Sequence, residues 1–276
     1  MYTTNIYVIT YNNYQRLNEN VMGFFETTAH LKGQFSFRYH IINNHPNFEL
    51  AEHVQDVMVF HNFFRPIRSC GHLSRDYNAA LIHGFGDLTA PDCDQVICCH
   101  DDISWNRNWF ETLLDIHAQY TFYAGDHGCS MTSYLPDAIK KIGLWDERFV
   151  GLGYHEADYY LRALIYNKEK STINDGFGGR ILNPTSVVFT QPPTNKDKQN
   201  HMNAAIDYHT ISRKVFAEKW GVHPEHWKAR LKTVPAAPLI LGYLYYPWFE
   251  LDVETLDAQR YVYQPKGLEH FLDDWK

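Results

Sequence analysis

The chain has 276 residues, 45% of them hydrophobic, with 32 acidic against 25 basic side chains and a formal net charge of −7. That length supports a substantial core in one large domain or a domain with an appendage, and no apolar run approaches the roughly 20 residues a bilayer-spanning helix needs. The acidic balance excludes a protein whose main task is to grip phosphate backbones over a broad surface, which takes many Lys and Arg acting together, and leaves open a local basic pocket.

Residues 5–10, NIYVIT, predict a strand. The residues ahead of it lack the basic start and long apolar centre of a secretory leader, so a cytoplasmic protein is expected. YNNYQRLNENVMGFFETT then sets Leu17, Val21 and Phe24 at helical spacing. FSFRYHIIN and DVMVFH predict the next two strands, and SRDYNAALIHGFG a helix with Tyr77, Leu81 and Ile82 on one face, closed by glycine. QVICC is a continuous apolar run of the kind a strand shows when both its faces are covered. NWFETLLDIHAQY predicts a helix, YTFYAG a strand, and a further helix starts near Glu156 behind Gly151 and Gly153. SVVFT is a short strand, the polar residues 191–201 with two prolines a loop, and AAIDYHTISRKVFAEKWG a helix ending at Gly221. Residues 222–276 show no repeat and are expected to wrap the domain or form an acceptor or partner surface.

Strands alternating with helices predict an α/β domain with a mostly parallel central sheet, in which ligands gather beyond the carboxyl ends of the strands. His100, Asp101 and Asp102 follow QVICC and therefore stand at that edge. Paired carboxylates there suit Mg²⁺ or Mn²⁺, which take hard oxygen ligands and share them with substrate phosphates; the plainer role of either Asp is to cap the following helix. Asp158 and Arg162 stand at i and i+4 and predict an ion pair, whereas Glu156, in a first helical turn beside a glycine turn, suits a general base. Five cysteines without a Cys-x-x-Cys pair signal neither a disulfide framework nor a zinc site, and are expected to be buried free thiols.

In order along residues 4–221, IYVITYNN with HIINNHP, SRDYNAAL, ICCHDDI, KKIGLWDERFVGLGYHEADYYLRA and FAEKWG resemble the GT-A-fold, family-2-like nucleotide-sugar glycosyltransferases. The resemblance implies a GT-A, Rossmann-like domain over 1–221 with a C-terminal extension over 222–276. It implies an inverting transfer of a sugar from a UDP- or GDP-linked donor to the hydroxyl of a glycan, lipid-linked or protein-linked acceptor, with Mn²⁺ or Mg²⁺ on the diphosphate. Thr10, Tyr11, Asn12 and Asn44 match the edge of the nucleotide pocket, and Arg75 and Asn78 the helix start near the nucleotide, where a guanidinium pairs with diphosphate oxygens. Asp102 matches the metal-binding Asp of the DXD-type motif, and Asp101 a ligand of ribose or metal-bound water. Two positions depart from the pattern: His100 stands where an Asp is common, and His155-Glu156 where Glu-Asp is common, so the expected base is Glu156.

His201 is expected as a further metal ligand, and His209, Asp126, His127 and Trp145 are weaker candidates, each balanced by an ordinary surface, strand-end or core role. The loop 191–201 is expected to close over the donor. No nucleic acid partner is implied; peripheral membrane association and oligomeric state stay open. The alternative function is a catalytically silent nucleotide-sugar or carbohydrate-binding module of the same fold. A metal-dependent phosphohydrolase built on His100-Asp101 is disfavoured because those enzymes are helical, and a dehydrogenase because no G-x-G-x-x-G follows the first strand.

Overall fold

The computed structural model describes residues 1–11, 13–45, 48–52, 57–61, 73–125, 128–149, 154–166, 188–190, 212 and 214–216. Asn12, Asp126, His127, Gly151, Gly153, the loop 191–201, His201, His209, most of the helix expected over 204–221, and residues 222–276 lie outside them.

The predicted first unit forms as strand β1 (Tyr2–Thr10) and helix α1 (Tyr14–Thr28). Asn13 starts the helix, its side-chain oxygen accepting from the Arg16 N–H at 3.3 Å, which satisfies one of the amides that a helix start leaves unpaired. Next come β2 (Phe35–Asn43), β3 (Val57–His61), α2 (Leu73–Phe85), β4 (Gln95–His100), the short β5 (Ile103–Trp105) and α3 (Trp109–His117). After β6 (Phe122–Ala124) the chain folds as β7 (Met131–Tyr134), α4 (Pro136–Ile142), α5 (His155–Tyr166) and β8 (Val188–Thr190).

Six strands form one sheet in the order β3-β2-β1-β4-β7-β6, and β5 pairs with β8 in a separate ribbon. β1 is parallel to β2 and β4, and β2 to β3; β7 is antiparallel to both β4 and β6. Five strands therefore run one way and β7 runs against them, the mostly parallel sheet expected from the sequence.

Alternation along the central strands divides the core in two. Tyr7, Ile9, Val96, Cys98 and Tyr134 pack with Tyr77, Leu81 and Phe85 of α2, Ile139 of α4 and Tyr159 of α5. Ile6, Val8, Ile97, Cys99 and Met131, on the other face, pack with Leu17, Val21 and Phe24 of α1 and Trp109, Phe110 and Leu113 of α3. Each fully buried large apolar side chain contributes about 1.5–3 kcal/mol relative to exposure. The uninterrupted burial of QVICC follows from this sandwich.

Two glycines set the approach of α2. A Cβ on Gly84 would come within 2.5 Å of Val96 Cγ2, so only hydrogen lets the helix lie that close to β4. Gly86, at φ +66°, turns the chain out of α2 in the left-handed region that glycine adopts without strain. Among the described residues no helix is long and apolar enough to cross a membrane.

Candidate active site

Parallel pairing puts the ends of β1, β2 and β4 at Thr10, Asn43 and His100 on one edge of the sheet. Because β7 runs the other way, Cys99 pairs with Met131, and the residues just before β7 come to the same edge. The N-terminal part of α2 and the first turn of α5 reach it as well, through Tyr77 and Glu156.

Asp101 and Asp102 form the turn between β4 and β5, and neither caps a helix: α3 starts only at Trp109, behind Asn108. Asp101 continues the β1–β4 pairing, its N–H donating to the Ile9 carbonyl at 3.2 Å. The Thr10 hydroxyl donates to Asp101 Oδ2 at 2.6 Å, so the threonine at the tip of β1 aims that carboxylate. Asp102 Oδ1 is buried, accepts no hydrogen bond, and lies 3.9 Å from Nδ1 of His100.

His100 is held from its other nitrogen. The Tyr77 hydroxyl donates to the Cys129 carbonyl at 2.5 Å and meets His100 Nε2 at 2.8 Å. With its single proton on that carbonyl, the hydroxyl accepts from His100 Nε2–H, an assignment that leaves the Nδ1 lone pair facing Asp102. Burial pushes the imidazole below its ordinary value against the opposing pull of the Asp102 and Glu156 carboxylates. Burial also raises the Tyr77 phenol, which stays protonated.

Glu156, 8% exposed, lies in the first turn of α5, where the helix dipole favours a carboxylate. Its Oε1 accepts from the Cys129 thiol at 3.3 Å, and its Oε2 is 3.6 Å from His155 Nδ1. Cys129 Sγ is also 3.3 Å from His155 Nε2 and 3.9 Å from His100 Nε2. Burial, then the Glu156 charge, pushes the thiol well above its ordinary value. Asp102, His100, Cys129 and Glu156 thus form one continuous line of side chains across the carboxyl edge of the sheet.

The remaining candidates are placed as follows. The Asn44 N–H donates to the Thr10 carbonyl at 3.1 Å, and its side-chain amide donates to Asp76 Oδ2 at 2.9 Å, joining β2 to α2. Tyr11 is 37% exposed, its ring edge-on to His45 at 5.2 Å between centroids. Arg75 is half-exposed in the first turn of α2, its Nε 3.8 Å from Glu147 Oε2. Asn78 is buried and clamps the GLWDERF segment: its Oδ1 accepts from the Trp145 N–H at 2.8 Å, and its Nδ2 donates to the Trp145 carbonyl at 2.8 Å and to Glu147 Oε1 at 2.9 Å. Trp145 is fully buried and stacked on Tyr159 with ring centroids 4.4 Å apart, which makes it core. The Asp158–Arg162 ion pair forms as expected, Arg162 Nη2 lying 3.0 Å from Asp158 Oδ2, and Arg162 Nη1 also donates to the Ile142 carbonyl at 2.6 Å.

Three members of the cluster were not legible as site residues. Tyr77 reads as an ordinary core position of an amphipathic helix, Cys129 as one buried thiol among five, and His155 only as a departure from a motif. Gly-Cys-Ser carries no local pattern, and the sulfur's importance comes from what packs against it.

No family model matches the sequence, and no curated protein is significantly similar to it. Glycosyltransferases are among the solved structures similar to the chain. The catalytic domain of Drosophila beta1,4-galactosyltransferase 7 in complex with xylobiose is 10% identical over 77% of this chain and 80% of its own, with a TM-score of 0.45. A mutant of the same enzyme, in complex with manganese, UDP-Gal and xylobiose, matches to the same extent. TarS of S. aureus is 11% identical over 94% of this chain and 88% of its own, with a TM-score of 0.39. In its own sheet the chain has the α/β architecture that its sequence implied, six mostly parallel strands between two helical layers, with the candidate site on the carboxyl edge.

Proposed function

We propose that the chain is an inverting, metal-dependent glycosyltransferase that moves a sugar from a nucleoside diphosphate to a hydroxyl acceptor. The observation that carries this reading is the line from Asp102 through His100 and Cys129 to Glu156, which joins an acidic strand tip to a helix-borne carboxylate on one sheet edge. It is supported by the order of motifs along residues 4–221.

The residues suit a divalent cation. Asp102 Oδ1 is a buried carboxylate oxygen without a hydrogen bond, and the His100 Nδ1 lone pair faces it at 3.9 Å. Those two atoms would hold Mn²⁺ or Mg²⁺; His201, expected as a further ligand, lies outside the described residues. When bound, such an ion offsets charge on the diphosphate as it leaves.

The protein's own groups do the rest. Thr10 fixes the Asp101 carboxylate, which would meet the ribose or a ligand of the cation, and Arg75 on α2 would pair with the diphosphate. Glu156, released from the Cys129 thiol, accepts the acceptor's hydroxyl proton. The freed oxygen bonds to the anomeric carbon, and the carbon–oxygen bond to the diphosphate breaks with its electron pair leaving on the nucleotide. A single displacement of this kind inverts the anomeric centre.

The silent binding module is favoured by one observation: both oxygens of Glu156 already face protein groups, Cys129 and His155. A thermal-shift screen of UDP- and GDP-linked sugars, with and without Mn²⁺ or Mg²⁺, tests what the two readings share. The expected outcome is a raised Tm with one nucleotide sugar, whose metal-dependent part disappears in Asp102→Ala. If no nucleotide sugar stabilises the protein, the transferase reading and the nucleotide-sugar form of the binding module both fall.

A further inference from the structure

The environment of Cys129 supports more than holding Glu156 in place. Its Sγ is 3.3 Å from His155 Nε2 and 3.3 Å from Glu156 Oε1, and one donor atom from each of the three residues lies within 4.8 Å of the others. In a tetrahedral zinc site with a metal–sulfur bond of about 2.3 Å and metal–nitrogen or metal–oxygen bonds of about 2.0–2.1 Å, neighbouring donors stand roughly 3.3–3.6 Å apart. Edges that include sulfur are the longer ones, about 3.5–3.6 Å, and the two sulfur distances of 3.3 Å lie within about 0.3 Å of them.

We propose that Cys129, His155 and Glu156 form a site for a thiophilic divalent cation of the Zn²⁺ class, distinct from the place between Asp102 Oδ1 and His100 Nδ1. Sulfur and imidazole select a borderline-soft ion over Mg²⁺ or Mn²⁺. The charges match: a thiolate and a carboxylate bring two negative charges to a divalent ion, so a site whose three residues are each less than a tenth exposed becomes neutral when filled. In the metal-free protein the thiol proton bridges sulfur and Glu156 Oε1. The cation takes that proton's place, and the proton leaves to solvent.

The surroundings are those of a site held in shape. The Tyr77 hydroxyl fixes the Cys129 carbonyl, and the Trp145 ring packs against the His155 ring at 5.6 Å. Outer contacts of this kind orient metal ligands. Between the ligands themselves, His155 Nδ1 lies 3.6 Å from Glu156 Oε2.

The test is titration of the metal-free full chain with Co²⁺, followed by Zn²⁺, reading the near-ultraviolet charge-transfer absorption of a cobalt–thiolate bond. One equivalent of Co²⁺ should produce the band, Zn²⁺ should displace it, and Cys129→Ser should lose it. His155→Ala, with the thiol intact, should bind at least about tenfold more weakly, and it decides the matter if Cys129→Ser fails to fold by near-ultraviolet circular dichroism. No band in the wild-type protein overturns the proposal. So does a band that persists in Cys129→Ser, which would place the ion on one of the other four cysteines, or binding abolished by Asp102→Ala alone, which would place it at Asp102. No sugar enters the measurement, so its failure is separate from failure of the transferase reading. If that reading holds, the bound ion takes the Glu156 carboxylate, and Zn²⁺ should abolish transfer.

Discussion

The Cys129 thiol donates a hydrogen bond to Oε1 of Glu156 across 3.3 Å, although the two residues belong to different elements 27 positions apart. That contact places the base proposed for transfer in a defined rotamer, with the sulfur as its partner.

Glu156→Gln keeps the size and most of the hydrogen bonding of the side chain but removes its capacity to take a proton. Transfer should fall by about 10²–10⁴-fold, the usual contribution of a positioned general base, while the thermal shift produced by the nucleotide sugar survives. Undiminished turnover in a product assay would remove Glu156 from the chemistry.

Asn78 spends its amide on Trp145 and Glu147. Asn78→Ala should therefore cost about 1–3 kcal/mol in urea unfolding, because the Trp145 N–H and carbonyl lose their buried partner. A variant of normal stability that no longer binds donor would instead return Asn78 to the nucleotide pocket, where the resemblance put it.

The Asp158–Arg162 pair is almost wholly buried. Arg162→Met should destabilise by about 3–5 kcal/mol, since it leaves the Asp158 charge inside with its principal countercharge gone. The double change Asp158→Leu with Arg162→Met should be less destabilising than Arg162→Met alone, and equal losses in chemical denaturation would show that the charges are not coupled.

Two buried histidines make stability pH-dependent. Burial lowers His40 to about 4, with His83 and Arg38 adding to the effect, and burial lowers His117 to about 4. Unfolded histidine titrates near 6.5, so between those values the unfolded chain binds more protons than the folded one. The stabilising contribution of the neutral rings is complete above about pH 6.5, shrinks as pH falls toward 4, and changes no further below it. Each ring accounts for a loss on the order of 3 kcal/mol across that window. His40 stacks on Tyr7, and neither of its nitrogens makes a hydrogen bond; His40→Phe should flatten the fall measured by urea unfolding at pH 7 and pH 4.5, and an unchanged slope would assign the effect elsewhere.

The strands most central to the sheet were legible because their signal is local. NIYVIT, FSFRYHIIN and QVICC each hold an apolar pattern within a few residues, and each becomes a strand. β7 was not, although all four of its residues are buried. Its MTSY reads as polar, yet the Thr132 hydroxyl donates to the Cys98 carbonyl at 3.4 Å and the Ser133 hydroxyl accepts from Gln95 at 2.9 Å, so the sheet itself satisfies those groups. β5 escaped notice because three residues hold no period, and the helix α4 because seven residues barely do.

For the site, the residue types and their position at strand and helix ends could be read along the chain: His100, Asp101 and Asp102 after β4, and Glu156 opening α5. Such features depend on neighbours in sequence, through periodicity, capping preference and charge. That Tyr77, Cys129 and His155 meet those residues depends on the reversed direction of β7 and on the packing of α2 and α5 against one face of the sheet. These contacts join positions 23 to 52 apart, and no local pattern encodes a distance of that kind.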